Sequence, residues 1–172
     1  IGLGVAIART AELSPQSGRL SRALLKAVKG LLTAYIEIFR GTPMIVQAMV
    51  VYYGALEYLG LDIPAMTAAF LVVSVNTGAY MAEILRGGIL SVDPGQKEAA
   101  IAVGMTHWQL MTSVVLPQAV RNTLPSVGNE FVVNIKDSSV LNVISVTELY
   151  FTARSVSGTH YKYFEVFFII SV

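Results

Sequence analysis

From Gly41 to Leu85 the chain runs for 45 residues without a lysine or arginine. Inside that stretch, Ile63 to Ala82 is 20 residues with no charge of either sign. About 20 apolar residues in helical form cross roughly 30 Å, the hydrocarbon thickness of a bilayer. Composition points the same way. Hydrophobic residues make up 54% and charged residues 13%, where soluble domains carry about 25% charge, and the mean hydropathy is +0.62. Such a chain has too little polar surface to wrap a water-facing globule. The net charge of +1 provides no field for nucleic acid, and with no cysteine there is nothing to staple a small secreted module or hold zinc. The expected fold class is therefore all-α, a polytopic transmembrane helical bundle.

Gly41 to Leu56 is a second uncharged run, closed by Glu57 and Asp62. The opening IGLGVAIA reads as the tail of one span and the closing YFEVFFIISV as the first half of another. Both ends of the natural chain are therefore expected to extend further. A cleaved signal peptide would need a charged leader and a small-residue cleavage site, which the opening lacks. Arg9, Arg19, Arg22, Lys26 and Lys29 crowd the first loop against one acid, Glu12, while the turn EYLGLDIP has two acids and no base. Basic loops stay in the cytoplasm. The first loop is accordingly assigned inside, the second outside, and the Arg86–Lys97 region inside again.

Leu20 to Phe39 reads as a helix lying at the membrane surface. Arg22, Lys26 and Lys29 share one face, and Leu24, Leu25, Val28, Leu31, Leu32, Tyr35 and Ile36 cover much of the rest. A cytoplasmic extension of a bundle would give the same pattern. The helix breaks at Arg40-Gly41, and Thr42 with Pro43 reads as the N-cap and first position of the next.

Ala99 to Val120 is 22 residues without a charge, and hydropathy alone would make it a span. Local chemistry opposes that. Asp93-Pro94-Gly95-Gln96 reads as a capped helix start in a capping-box arrangement. Gly104 suits the left-handed position past a helix end, and Thr106 to Gln109 offers a second capping box. The expected structure is helix, sharp turn, helix, with a small flat surface at Ala99, Ala100 and Ala102.

These residues, EAAIAVGMTHWQLMTSVVLPQA, resemble the EAA loop of ABC importer permeases. Glu98, Ala99, Ala100, Gly104, Leu116 and Pro117 match its pattern, and Val114 stands where the family often has Ile. EIFRGTPMIVQ, YMAEILRGGI and NIKDSSVLNVISVTEL resemble segments of the polar amino-acid uptake branch, so that the likeness runs from about Leu31 to Glu165. It implies a bacterial inner-membrane permease of about five spans in the full chain, with residues 1–172 as one permease domain and the first and last spans partial. It also implies a second permease subunit, identical or different, a cytoplasmic ATP-binding subunit and an extracytoplasmic solute-binding protein. The chain has no Gly-Lys dipeptide and hence no phosphate-cradling loop. ATP and Mg are accordingly expected on the partner, with no cofactor, metal or catalytic residue in this chain. The matched residues are the expected ATPase-coupling site, Glu98 reaching a basic rim and Gly104 turning the chain. Outside the motif, Glu98 would read as a first-turn acid favoured by the helix dipole.

The translocation path has fewer markers. Ionisable groups inside a bilayer face protein or water. Glu83 and Arg86 stand three apart and can pair with each other. Asn76 and Thr77, deeper in the same span, face either a neighbouring helix or the path. Pro117 and Pro125 are expected to interrupt the fourth span, through which Asn122, Asn129, Glu130 and Asn134 thread polarity. Asn129 and Glu130 are candidates for the ammonium and carboxylate of an amino acid, with hydrogen bonding between helices as the alternative. His107 and Trp108 are expected to pack at the interface, and His160 has no nearby His or Cys partner. Tyr161, Tyr163, Phe164, Phe167 and Phe168 read as an aromatic belt. Lys136, Asp137, Glu148 and Arg154 are placed near the outer face. An ATP-independent channel or proton-coupled carrier would need an ionisable relay, for which Glu130 and Glu83 are the candidates. An intramembrane enzyme has no catalytic grouping to use.

Overall fold

The computed structural model describes residues 1–10 and 18–171, and Glu12 lies outside the described residues. Every regular element described is helical, as expected for an all-α chain. In order these are α1 (Gly2–Thr10), α2 (Arg19–Gly41), α3 (Met44–Leu59), α4 (Ala65–Leu90), α5 (Pro94–Ala102), α6 (His107–Gln109), α7 (Leu116–Asp137), α8 (Leu149–His160) and α9 (Tyr163–Ser171). A π-helical stretch, Leu110–Val115, joins α6 to α7, and a 3-10 stretch, Ser138–Ile144, follows α7. Among the described residues only α4 is long and apolar enough to cross a membrane, while α3 is a shorter apolar helix. At about 1.5 Å per residue, the 26 residues of α4 extend roughly 39 Å.

The chain forms two compact units, residues 1–41 with 77–131 and residues 42–76 with 132–171. In the second, Ala48 of α3 meets Ala68, Ala69 and Val72 of α4 and Leu141 and Ile144 of the 3-10 stretch. Alanine at three of these buried positions removes side-chain bulk between helices. Helix α3 ends at Gly60, whose φ of 64° closes a Schellman turn, with Gly60 N–H on Leu56 O and Leu61 N–H on Ala55 O. Its start differs from the sequence expectation. Pro43, rather than Thr42, is the N-cap, because the Pro43 carbonyl accepts the first helical bonds from Val46 and Gln47. Thr42 instead accepts from Gln47 Nε2, at 2.8 Å on its hydroxyl and 3.0 Å on its carbonyl.

The first unit has two clusters. One joins Ile36 of α2 to Ala79 and Ala82 of α4, with Val5, Tyr35 and Phe39 around them. The other gathers Ile89 and Val92 at the end of α4 with Ala100, Leu110, Val115 and Ala119. The second depends on a close crossing of α4 and α7 at Gly88. A Cβ at that glycine would collide with the Thr123 methyl and stand 3.0 Å from the Ala119 carbonyl oxygen. Gly87, one residue earlier, has nothing within 4 Å.

The two glycines should therefore respond oppositely to one methyl group. Gly87→Ala should stabilise by about 0.5–1 kcal/mol through helix propensity. Gly88→Ala should destabilise by about 1–3 kcal/mol, because overpacking outweighs that gain. Thermal unfolding of the full protein in detergent measures both, and a stabilised Gly88→Ala would refute the crossing.

Candidate functional site

Helix α5 begins where the local sequence says. Asp93 is the N-cap and Pro94 occupies the first turn. The expected capping box does not form, although Asp93 does cap the helix. The Asp93 carboxylate takes the amide of Gly95 at 2.6 Å rather than that of Gln96, whose N–H goes to the Asp93 carbonyl at 3.0 Å. The glycine allows this tight turn, since a Cβ there would lie 2.9 Å from the same carboxylate oxygen. The far end is a full Schellman closure. Gly104 has φ 81°, its N–H bonds to Ile101 O at 2.9 Å, and Met105 N–H reaches Ala100 O at 3.1 Å. Two residues on, Thr106 and Gln109 form the complete reciprocal box, Gln109 N–H to Thr106 Oγ1 at 3.3 Å and Thr106 N–H to Gln109 Oε1 at 2.9 Å. The 22 uncharged residues are thus two helices about a satisfied turn, as expected, and not one span.

The small flat surface expected at Ala99, Ala100 and Ala102 needs correcting. Ala100 is buried against Ile89, Val92, Leu110, Val115 and Ala119, and only Ala99 and Ala102 stay exposed with Glu98 and Gly104. The reason is helical geometry, since successive residues stand about 100° apart and cannot share one face. The exposed face is less flat than expected, because Ile101, Val103 and Trp108 project from it, Trp108 with 76% of its surface exposed. Sequence reasoning missed Ile101 and Val103. Their apolar character on a short helix in a loop was the available signal. Leu116 is half-buried and Pro117 exposed, so the two ends of the matched motif play different parts.

Pro117 and Pro125 do not interrupt the fourth helix, contrary to expectation. α7 runs unbroken from Leu116 to Asp137 with Pro125 inside it. The irregularity lies just ahead of Pro117, in the π-helical Leu110–Val115, where the Leu116 N–H passes over one residue to reach the Met111 carbonyl. A proline ring clashes with the carbonyl four residues back in a regular helix. One extra residue in the preceding turn changes that register.

At the end of α4, Glu83 holds Arg86 as expected, through Oε1 with Arg86 Nε at 2.9 Å and with Nη2. Its other oxygen takes Arg9 of α1 at 2.8 Å. That partner, 74 positions away, was not legible from spacing along one helix. Of the path candidates, Asn76 is buried and its Nδ2 donates to Gln47 Oε1 of α3 at 3.1 Å. Thr77 is half-buried. Glu130 is 8% exposed while its neighbour Asn129 is exposed, so the two do not present a common face. Asn122 donates to Ser91 Oγ at 3.0 Å, a bond between α7 and the turn after α4.

Glu148 has a local task. Its carboxylate caps α8, accepting from Tyr150 N–H at 2.7 Å and Phe151 N–H at 2.6 Å. Arg154, with Asn142, Phe151, Ser155, Gly158 and Thr159, lines an open cavity of about 440 Å³ in the second unit, and none of the four path candidates borders it. Of the residues expected to form an aromatic belt, Phe164 stacks on Phe168 at 5.9 Å, and Phe167 meets Tyr150 at 5.8 Å.

A capped, exposed helix–turn–helix loop thus follows the one membrane-length helix among the described residues. The chain belongs to the family described as the inner membrane component of binding-protein-dependent transport systems, whose model matches residues 17–172. It is 37% identical over 139 residues to the glutamine transport system permease protein GlnP of Escherichia coli K12, covering 80% of this chain and 64% of that protein. The arginine transport system permease protein ArtQ of Bacillus subtilis is 39% identical over 131 residues, 76% of this chain and 60% of ArtQ. The probable amino-acid ABC transporter permease protein YckA of Bacillus subtilis is 36% identical over all 172 residues, 70% of its own length. The chain thus spans under two thirds of the length of GlnP and ArtQ. A crystal structure of an amino acid ABC transporter with histidines superposes with a TM-score of 0.85 at 40% identity, over 99% of this chain and 73% of that one.

The inward turn of Ala100 is testable against its neighbour. Ala100→Leu should destabilise the protein by about 1–3 kcal/mol through overpacking. Ala102→Leu should stay within about 0.5 kcal/mol, as exposed positions do. Thermal unfolding in detergent distinguishes them, and equal effects would put Ala100 back on the surface.

Proposed function

We propose that this chain is the permease subunit of an ATP-driven importer of amino acids, forming the translocation path by alternating access. The carrying observation is the exposed α5–α6 loop. Its left-handed Gly104 and capped flanks give a rigid protrusion whose residues match the EAA pattern. The names of GlnP, ArtQ and the superposed transporter support an amino acid as cargo. The full protein is a multi-pass inner-membrane subunit of about five spans. It works with a second permease subunit, a cytoplasmic ATP-binding subunit that carries ATP and Mg, and an extracytoplasmic solute-binding protein. Hydrolysis occurs on the ATP-binding partner, and this chain is not an enzyme.

The loop works as a handle. Glu98, Ala99 and Gly104 present the exposed contact, Ala100 ties that contact to the end of α4, and Leu116 and Pro117 carry the displacement into α7. Two ATP-binding subunits closing on ATP would bring two such handles together and rock the helices between inward-open and outward-open states. Asn76, Thr77, Asn129 and Glu130 are the proposed path residues. The carboxylate of Glu130 has the charge and the acceptor oxygens that suit the ammonium of an amino acid.

Two experiments test this reading. Reconstituted with its partners, the wild-type complex should hydrolyse ATP faster when substrate-loaded binding protein is added. Gly104→Pro should insert normally yet abolish that stimulation and uptake together, because proline holds φ near −65° and cannot adopt the turn. Normal uptake by the variant would remove the coupling assignment, and a wild type without stimulation would favour an ATP-independent channel or carrier. Separately, Glu130→Gln should weaken binding of radiolabelled amino acid and slow uptake about tenfold or more, the scale of a buried charge-assisted hydrogen bond. Unchanged affinity and uptake would take Glu130 out of the path.

A further inference from the structure

We infer that α2 is the surface by which this protein binds negatively charged lipid of the cytoplasmic leaflet. Residues 19–36 contain four cations, Arg19, Arg22, Lys26 and Lys29, and no acid before Glu37. At about 100° per residue, the four cations fall within roughly one quadrant of the helix. Among the described residues, Arg19, Lys26 and Lys29 enter no ion pair. On the opposite side Leu20, Leu24, Leu31 and Ile38 make a stripe that is 83, 65, 72 and 57% exposed.

The helix uses a third face for its own unit. Ile36, with Tyr35 and Phe39, packs against Ala79 and Ala82 of α4 and Val5 of α1. The leucine stripe is therefore not a core seam of that unit, and Arg19, Lys26 and Lys29 are not neutralised there. Water accommodates the cations but not a row of aliphatic side chains, and hydrocarbon does the reverse. A helix in the plane of the interface satisfies both, with its apolar face in the acyl boundary and its cations at the level of the phosphates.

A zwitterionic surface would accept the leucines but leave Arg19, Lys26 and Lys29 without partners. Anionic headgroups complete them, each cation strengthening attachment roughly fivefold. The inference rests on membership of an inner-membrane family and on the cytoplasmic side assigned to the first loop, and it is independent of what is transported.

The test uses the full-length protein in nanodiscs of phosphatidylcholine alone or of phosphatidylcholine mixed with phosphatidylglycerol. Hydrogen exchange of the α2 amides should slow about tenfold or more in the anionic discs, and added salt should reverse this by screening. The triple variant Arg19→Gln, Lys26→Gln, Lys29→Gln should lose the difference between the two lipids. The α4 amides should exchange alike throughout, as a check that the fold is intact. Equal protection of α2 in both lipids for the wild-type protein would overturn the inference without any variant. So would a triple variant that keeps the full phosphatidylglycerol effect.

Discussion

The crossing of α4 and α7 at Gly88 is the contact on which the loop depends. A missing Cβ lets the Ala119 carbonyl and the Thr123 methyl come against the α4 backbone. That approach puts Ile89 and Val92 within reach of Ala119 and Val115, and Ala100 of α5 closes the same cluster. A side chain at residue 88 would hold the helices apart and leave Ala100 without a wall to meet. The exposed handle is therefore stiff for a reason that lies outside it. Short helices are marginal by themselves, and α5, with nine residues, owes its position to this packing and to its caps.

Polar groups mark where helices are tied together. Asn122 bonds to Ser91 beside the Gly88 crossing. Gln47 links the start of α3 to Asn76 of α4. Glu83 collects Arg86 from its own helix and Arg9 from α1. With little driving force for burying apolar surface inside a bilayer, close packing and hydrogen bonds between helices carry more of the association. The alanines of the three clusters with Gly88 at the α4–α7 crossing, and these few bonds, are the two halves of that arrangement. The Asn76 bond also means that a residue proposed for the path has a structural partner to give up or keep during transport.

Much of the loop was legible because helix ends are local. Asp93, Pro94, Gly104 and the Thr106–Gln109 box act within a few residues of themselves, so their types and spacing suffice. The start of α3 shows the limit of such reasoning. Thr42 and Pro43 both suit a helix start, and the Gln47 side chain occupies the threonine hydroxyl. The disturbance expected at Pro117 and Pro125 was real in kind but misplaced. A proline states that a turn must adjust, while the π-helical turn that does the adjusting lies before Pro117.

The sequence by itself determined the all-helical class, the membrane-length run in α4, the position of the sharp turn at Gly104 and the basic face of α2. Each follows from composition or from interactions spanning about one helical turn. Only the tertiary structure decided that Ala100 faces inward while Ala99 and Ala102 stay out, that Arg9 joins Glu83, and that Glu130 is buried beside an exposed Asn129. Those outcomes depend on which helix faces which. A bilayer-compatible helix that is apolar nearly all round does not carry that information in its own pattern, because no single stripe distinguishes its lipid side from its protein side.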